Sequence, residues 1–167
     1  MIVNLDLDGK TVIVIGSGIE VLRKIRGLLG QNCNIVVITN RLNRHLSYLS
    51  EHGKIKIDKT GLNNVSILNS YKNPYLVLAA TNNKLLNRQF VEKGRQIGSF
   101  GYAADDPEYS DFSYMATMNI EDIMQIGIST SGRSPIMARI IRIRAEKILR
   151  RMLRRNSQNI TRNKDTR

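Results

Sequence analysis

The segment from Thr11 to Thr39 constrains the fold most strongly, because it has the pattern strand, glycine turn, helix, strand. The run TVIVI is short and β-branched and ends at Gly16, which is typical of a buried parallel strand. A second such run, NIVVIT, occupies residues 34–39. Between the two runs, apolar residues recur at helical spacing and Gly30 is placed as a C-terminal cap. These apolar residues are Val21, Leu22, Ile25, Leu28 and Leu29. A strand–helix–strand unit of about thirty residues forces its two strands to be parallel.

The same alternation continues along the chain. Helices are predicted for RHLSYLSEHG, which ends at Gly53, and for NKLLNRQFVEKG, which ends at Gly94. The segment 61–70 is predicted to be helical or irregular. The further predicted strands are 55–57, 75–80 and 97–104. Strands that alternate with helices imply an open α/β sheet with helices on both faces.

The pattern changes after Phe112. Two short apolar runs, FSYMATM and IMQIGIST, predict neighbouring strands joined by a turn. A long helix follows, with Ser134 as its N-cap and Pro135 at its first position, and the polar segment from Asn156 is expected to fray. The apolar stripe of this helix comprises Met137, Ile141, Ala145, Ile148 and Met152. The stripe either folds back on the sheet or is covered by a second chain, and we expect a homodimer.

The charge of the chain is concentrated at its C-terminal end. The formal net charge is +12, and residues 139–167 hold eleven Lys and Arg against two acids, so +9 of the total lies there. Such a segment can bind nucleic acid, a membrane surface or a polyanionic small molecule, or it can act as a solubilising tail. No aromatic residue lies between 139 and 167, whereas single-stranded nucleic-acid sites usually interleave aromatics with cations.

Several classes of protein are disfavoured by what the sequence lacks. Cys33 is the only cysteine, so no internal disulfide can form, and it is expected to be a packing residue. No run of about 18 apolar residues predicts a transmembrane helix, and the acidic N-terminus does not resemble a signal peptide. His45 and His52 are two helical turns apart, roughly 10 Å, which is too far for one ion, so no metal site is predicted. We therefore expect a cytoplasmic protein.

The glycine turn has the context of a dinucleotide fingerprint, because Gly16-Ser17-Gly18 follows the first strand and opens the first helix. A pyrophosphate would approach the Gly18 backbone at the helix N-terminus. Val21 departs from the usual small third position, and a glycine-rich turn of a flavodoxin-like fold is the alternative. The second strand ends in Thr39-Asn40-Arg41 without an acid for the ribose, so NAD and NADP both remain open. The predicted cofactor contacts are Gly16, Ser17, Gly18, Ile19, Glu20, Thr39, Asn40, Ala80 and Thr81.

Two adjacent acids, Asp105 and Asp106, end the strand at 97–104 and precede Pro107. They should lie at the same sheet edge as the glycine turn, because the carboxyl ends of parallel strands meet there. Neighbouring carboxylates raise each other's pKa, which tunes a base towards neutral pH. The alternative is a turn with a capping aspartate. The residues alone do not decide between a base and a turn.

Four segments in order resemble the precorrin-2 dehydrogenase / sirohydrochlorin ferrochelatase family, the N-terminal module of siroheme synthases. They are GKTVIVIGSGIEVLRK, AATNNKLLN, AADDPEYSDF and ISTSGRSPIMARIIR, and the resemblance covers residues 5–146. Ser17 departs from the three successive glycines that are usual in this family. Val21 stands for a usual alanine, Tyr102 for an asparagine and Met115 for a proline.

The resemblance implies a Rossmann-like NAD-binding domain at 1–112, a small β-rich dimerisation segment at 113–134 and a basic helix with a frayed tail at 135–167. It also implies an oxidoreductase that converts precorrin-2 and NAD⁺ to sirohydrochlorin and NADH, with Asp105 as the catalytic residue. Insertion of Fe²⁺ is a possible second, lyase activity of that carboxylate in some members. Precorrin-2 carries eight carboxylates, so the resemblance implies that cations of the basic helix attract and bind this substrate. The implied substrate contacts are Ser129, Ser131, Arg133, Ser134, Arg139 and Arg142.

Two other functions compete with this interpretation. If Val21 and the missing ribose acid abolish catalysis, the chain is a dinucleotide-binding regulatory module. If the Arg-rich C-terminus is the functional part, the chain is a nucleic-acid-binding protein.

Overall fold

A computed structural model describes residues 2–60, 62, 64–120 and 124–164, with side chains described as far as residue 153. Contacts divide the chain into two compact units, one formed by Val3–Ser113 and the other by the chain from Tyr114 onwards together with its N-terminal residues. The three segments with boundaries at 112 and 134 stay a prediction.

The first unit contains a parallel sheet of five strands in the order β3-β2-β1-β4-β5. The strands are β1 (Thr11–Ile15), β2 (Asn34–Ile38), β3 (Lys56–Asp58), β4 (Leu76–Ala79) and β5 (Phe100–Ala103). The helices are α1 (Ile19–Leu28), α2 (Arg44–Glu51) and α3 (Lys84–Gln96), with 3₁₀ helices at Val65–Ser70 and Pro107–Tyr109. This topology confirms the predicted α/β class, because each crossover joins parallel strands.

The sheet carries a hydrophobic core on each face. Val12 and Val14 of β1 point to the face covered by α1 and α2, and Ile13 and Ile15 point to the face covered by α3 and the first 3₁₀ helix. All four side chains are fully buried. Continuous burial on both faces explains why β1 has an unbroken β-branched sequence and not an alternating one.

Two predicted helices end close to their glycines and one does not. Helix α1 ends at Leu28 with Leu29 as its C-cap, and α2 ends at Glu51 with His52 as its C-cap, so that Gly30 and Gly53 directly follow the caps. Helix α3 continues through Gly94 to Gln96, because Gly94 is a packing residue: a Cβ there would lie 3.1 Å from the Val77 Cβ. Gly101 on β5 has the same role from the sheet side, since its Cβ would lie 2.5 Å from the Val91 Cγ1. The two glycines let α3 approach the sheet closely.

The second unit consists of an antiparallel strand pair and one long helix. Strand β6 (Ala116–Ile120) pairs with β7 (Met124–Ile128), and α4 extends over Pro135–Lys164. The Ser134 hydroxyl accepts a hydrogen bond of 3.2 Å from the Met137 backbone N–H, as expected of an N-cap. The helix is continuous beyond Asn156, so the expected fraying there is wrong for the backbone as far as Lys164.

The packed face of α4 differs from the predicted stripe. Helix α4 contacts β6, and Ala138 is buried, whereas Met137, Ile141 and Ile148 are 55%, 44% and 59% exposed. Met152 is also exposed. The predicted stripe is therefore left uncovered within this unit, and a neighbouring helical face is buried instead.

In the part of the chain that the structure describes, no helix is both long enough and apolar enough to cross a membrane.

Candidate functional site

The carboxyl ends of parallel strands bring the predicted dinucleotide residues and the acid pair to one edge of the first unit. Gly16 follows the last residue of β1, Ala80 follows β4, and Asp105 lies two residues after β5, and β1 lies between β2 and β4. The strand order reverses direction between β1 and β4, and such a switch point leaves a crevice at the sheet edge.

The turn after β1 requires glycine at its first position. Gly16 has φ +120°, and a Cβ there would lie 2.6 Å from the Ala80 carbonyl oxygen. Gly18 has a different surrounding, because a Cβ at that position would meet no protein atom within 4 Å. Glycine at 18 therefore leaves open space beside the N-terminus of α1, where unpaired backbone N–H groups attract an anion.

A cavity of about 310 Å³ lies against this turn. Its walls are Gly16, Ser17, Gly18, Asn40, Arg41, Leu62, Ala80, Thr81 and Asn82. Six of these are predicted cofactor contacts, and Arg41, Leu62 and Asn82 are additional. The open space at Gly18 and the helix N-terminus fit a dinucleotide pyrophosphate, and Asn40 and Arg41 lie on the side where a ribose would be placed.

Three predicted cofactor residues do not line this cavity. Thr39 is fully buried, and its hydroxyl donates to the Arg41 C=O at 2.9 Å and accepts from the Arg41 N–H at 3.1 Å. Thr39 thus shapes the loop that presents Asn40 and Arg41. Ile19 is 64% exposed on the first turn of α1, and Glu20 pairs with Arg23 at 2.5 Å.

Asp105 is exposed, and one edge of its carboxylate is held by α3. The Asn87 amide nitrogen donates to Asp105 Oδ1 at 2.9 Å. The same amide bonds Thr81, which accepts at its C=O and donates from its N–H and its hydroxyl. Asp105 and the wall of the 310 Å³ cavity are therefore linked through a single buried side chain.

Asp106 has a different environment from its neighbour. It is 6% exposed, and one carboxylate oxygen accepts from Arg88 Nε at 2.6 Å and lies 3.4 Å from Lys84 Nζ. The Arg88 hydrogen bond, with Lys84, holds the pKa of Asp106 below its usual value against the opposing effect of burial. The expectation that the two acids raise each other's pKa is wrong for Asp106, because the hydrogen bonds from Arg88 and Lys84 lower its pKa.

Tyr102 lies on β5, three residues before Asp105, and its hydroxyl accepts from Lys24 Nζ at 3.1 Å. The ammonium also lies 4.2 Å from the centre of the Tyr102 ring. Burial lowers the pKa of Lys24 to about 8, mainly through desolvation, and burial likewise raises the pKa of Tyr102. The tyrosine therefore partners a buried cation of α1.

The predicted substrate residues of the second unit have mixed surroundings. The Ser129 hydroxyl accepts from the Ser131 N–H at 3.1 Å, and Ser134 caps α4. Arg133 and Arg139 are exposed. Arg142 Nη1 bonds Glu146 Oε2 at 2.9 Å, so its guanidinium is already engaged and it is a weaker candidate for a carboxylate ligand.

A larger cavity of the first unit lies elsewhere. It measures about 690 Å³ and lies at edge strand β3, where Tyr71 donates a hydrogen bond to Asp58. None of the predicted site residues lines it. The smaller cavity is the better candidate, because a helix N-terminus, a glycine turn and a strand switch point converge there. Among the described residues, no three His, Cys, Asp or Glu side chains are grouped as a metal site.

Three residues that hold this site together are not among the predicted site residues, although one of them, Asn87, belongs to the family segment AATNNKLLN. Asn43 caps α2 and its amide nitrogen donates to the Ser17 C=O at 2.9 Å. Asn87 and Arg88 hold the two aspartates. A capping pattern before α2 could have identified Asn43, but its contact to Ser17 joins residues 26 positions apart and has no local signal.

The chain matches a protein-family model described as "Putative NAD(P)-binding" over residues 3–116. It is similar to the siroheme synthase of Neisseria meningitidis serogroup C (strain 053442), with 31% identity over 144 residues, 86% of this chain and 29% of that protein. The siroheme synthase of Nitrosococcus oceani is 28% identical over 145 residues, 87% of this chain and 30% of that protein. The chain thus spans less than a third of the length of these curated relatives.

Among solved structures, the fold is similar to that of SirC, a precorrin-2 dehydrogenase, with a TM-score of 0.73 and 21% identity. The match covers 88% of this chain and 70% of that one. At this identity, the likeness establishes the fold. Together, these matches confirm the family resemblance that the four ordered motifs predict.

Proposed function

Because the chain belongs to the NAD(P)-binding family and is similar to siroheme synthases, we propose that it oxidises precorrin-2 to sirohydrochlorin with a nicotinamide dinucleotide. The observation that carries the proposal is the placement of Asp105 at the same sheet edge as the glycine-turn cavity, with Asn87 bonded to both. A cofactor cradle and an exposed carboxylate at one edge are the two parts that this reaction needs.

In the proposed reaction, two hydrogens leave the macrocycle as a hydride and a proton. The dinucleotide, when bound, supplies the hydride acceptor. Asp105 takes the proton or orients the macrocycle for its loss, and its exposed carboxylate leaves room for a bulky substrate. Asp106 is held by Arg88 and Lys84, so it serves the fold of the turn.

The direct test is incubation of the purified chain with precorrin-2 and NAD⁺ or NADP⁺ while the absorbance of the reduced nicotinamide is followed. We expect reduction by wild type, and we expect Asp105→Ala to lose most of this activity while it still binds the dinucleotide. Asp106→Ala should have the milder effect on turnover per folded molecule. Binding of dinucleotide without any turnover would favour a regulatory module instead.

The form of the cofactor follows from the loop after β2. The loop offers the Asn40 amide to ribose hydroxyls, and Arg41 is a cation beside them. We propose NAD as the cofactor with NADP tolerated, because Arg41 can pair with a 2′-phosphate. Dissociation constants for both dinucleotides, in wild type and Arg41→Ala, test this: the substitution should weaken NADP⁺ binding selectively.

Insertion of Fe²⁺ into the product is a separate proposal that rests on the family resemblance. Adding Fe²⁺ or Co²⁺ to the dehydrogenase assay and following the spectrum of the macrocycle distinguishes the two activities. Product that stays metal-free at the rate of the uncatalysed control would restrict the chain to oxidation.

We also propose that two copies associate through α4. Apolar side chains on this helix are exposed within the unit, among them Ile136, Met137, Ile140, Ile143 and Ile148, and exposed apolar patches of this kind mark protein contacts. Sedimentation analysis should show a dimer for wild type and a shift to monomer for Ile140→Glu. A wild-type monomer at micromolar concentration would contradict this proposal.

Arg133 and Arg139 stay candidates for binding the carboxylates of the substrate. A cytoplasmic location also stays part of the proposal.

A further inference from the structure

The Asn87 side chain has a partner at every hydrogen-bonding position of its amide. It is fully buried on α3. Its oxygen accepts from the Thr81 N–H at 2.9 Å and from the Thr81 hydroxyl at 2.6 Å. Its nitrogen donates to the Thr81 C=O at 3.1 Å and to Asp105 Oδ1 at 2.9 Å. All the hydrogen-bonding positions of one amide are thus divided between two residues.

These partners determine which way the amide points. The Thr81 N–H can only donate, so the amide oxygen has to face it, and the amide nitrogen then faces the Thr81 C=O and Asp105. A flipped amide would set two donors against each other at Thr81 and two acceptors against each other at Asp105. Asp105 therefore always meets a donor, which suits its carboxylate form.

The backbone around Asp105 is fixed separately. The carboxylate of the next residue, Asp106, is bonded by Arg88 of α3. The Asp106 N–H donates to the Ala103 C=O. With the backbone held this way, the remaining freedom of Asp105 is the rotation of its exposed side chain. The Asn87 hydrogen bond restricts that rotation.

We infer that Asn87 is a positioning residue, which holds the Asp105 carboxylate in one orientation and ties it to Thr81 on the wall of the dinucleotide cavity. This inference rests on the proposed function, since it concerns the orientation of the proposed base. Asn87 acts through Asp105 and has no contact with the reacting atoms of its own. The hydrogen bonds of Asn87 also keep the Asp105 carboxylate at a constant distance from Thr81, which follows β4 and lines the dinucleotide cavity.

The substitution that tests this inference is Asn87→Asp, because it keeps the shape and the oxygen that bonds Thr81 but replaces the donor to Asp105 with an acceptor. We expect kcat for precorrin-2 oxidation to fall about 10- to 100-fold, with the KM for precorrin-2 and the dissociation constant for NAD⁺ changed less than about threefold. Unchanged kcat, or a loss that appears only in KM, would overturn the inference.

The matched control is Asn83→Ala on the same helix. The Asn83 side chain accepts from the Leu86 N–H at 3.1 Å as the N-cap of α3, so its loss weakens the helix without removing a donor from Asp105. We expect Asn83→Ala to lower Tm and to leave kcat within about twofold of wild type. If it reduces kcat as much as Asn87→Asp does, the role of Asn87 is merely structural.

A second measurement does not depend on turnover. Two carboxylates 2.9 Å apart repel, so Asn87→Asp should lower Tm in the wild-type background and lower it less in an Asp105→Asn background, where an amide donor is restored to the pair. Equal losses in both backgrounds would show that the two side chains do not interact and would overturn the inference. Absence of any wild-type turnover would instead reject the proposed function, and the Tm cycle would still report on the contact.

Discussion

The two units of this protein hold their polar residues in different ways. In the unit Val3–Ser113, two acids at the sheet edge are fixed by side chains of α3 that lie 18 residues away, as Asn87 fixes Asp105 and Arg88 fixes Asp106. In the unit from Tyr114 onwards, the described ion pairs join residues four apart on α4, Arg142 and Arg150 to Glu146, and Arg150 also donates to the Asn119 C=O of β6. The first arrangement orients two carboxylates, whereas the second mainly concentrates positive charge on one helix.

This difference matches two functions, the positioning of catalytic groups and the attraction of an anionic substrate. A base and a cofactor need a constant geometry, which long-range bonds to a buried framework supply. A substrate with many carboxylates can be attracted by a basic surface without one fixed geometry. Substitutions should therefore have large, specific effects in the first unit and small, general ones in the second.

Gly16→Ala should have the largest effect. Its Cβ would lie 2.6 Å from the Ala80 carbonyl oxygen at φ +120°, so we expect a loss of about 3 kcal/mol in the free energy of unfolding, measured by urea denaturation. Gly18→Ala is the matched control, because its Cβ meets no protein atom. It should keep its stability and instead weaken NAD⁺ binding about tenfold, which is about 1.4 kcal/mol. Equal stability losses would show that the two glycines do not differ in this way.

Asp106→Asn should reduce stability by less than Gly16→Ala does, and its effect should depend on pH. Arg88 lowers the pKa of Asp106, so the stabilisation is present above the pKa of the unfolded chain and is lost as the pH falls through the lowered value. We expect wild type to lose this contribution on acidification and Asp106→Asn to lack it at every pH. Asp105→Asn removes the neighbouring carboxylate without breaking an ion pair and should leave Tm nearly unchanged. A larger fall in Tm for Asp105→Asn than for Asp106→Asn would reverse the two roles.

Lys24→Met should change the stability of the first unit by about 1 kcal/mol or less at neutral pH, because relief of the desolvated ammonium is offset by loss of its hydrogen bond to Tyr102. Burial lowers the pKa of Lys24 from 10.5 to about 8. Between these pH values the unfolded chain binds a proton that the folded chain does not, so wild-type stability should rise with pH across that window. Lys24→Met should lack this rise. Lys147→Met, at an exposed position of α4, is the control and should leave the pH dependence of wild type intact.

Glu146→Gln should have the smallest effect, although it removes the acceptor of two arginines. These pairs are partly exposed and each joins residues four apart on one helix, so we expect a loss of about 0.5 kcal/mol that disappears at high salt. Unfolding in low and high salt measures it. A loss comparable to that of Gly16→Ala would contradict the contrast between the two units.

The fold was predictable where the pattern was local and continuous. The β-branched run before Gly16 and the helical spacing from Val21 to Leu28 placed β1 and α1 at nearly their observed positions. Gly94 was misinterpreted as a helix end, because sequence cannot distinguish a glycine needed for a cap from one needed for close packing. The stripe on α4 stays a prediction for a partner chain, because most of its residues are exposed within this unit. Apolar side chains lie around much of this helix, and spacing alone does not tell which face β6 covers.

The site was predictable in its chain segments but not in its partners. The segments ending at Gly16, Ala80 and Asp105 do meet at one edge, as parallel strands require. The environment of Asp106 was not predictable, because its partner Arg88 lies 18 residues away in the sequence. The sequence alone shows only the neighbouring carboxylate of Asp105. The role of Thr39 was not predictable either, because a threonine hydroxyl can hydrogen-bond to a ribose or to the backbone of its own loop, and here it bonds the Arg41 backbone.

The close approach of α3 to the sheet has a consequence for how this sequence can vary. Gly94 lies against Val77, where an added methyl group would be crowded, and Gly101 lies against Val91, where an added methyl group would force a shift. The four positions therefore form two coupled pairs, in which a larger residue on one side is tolerated only with a smaller one opposite. In a library that randomises these positions, functional clones should show compensating volumes within each pair.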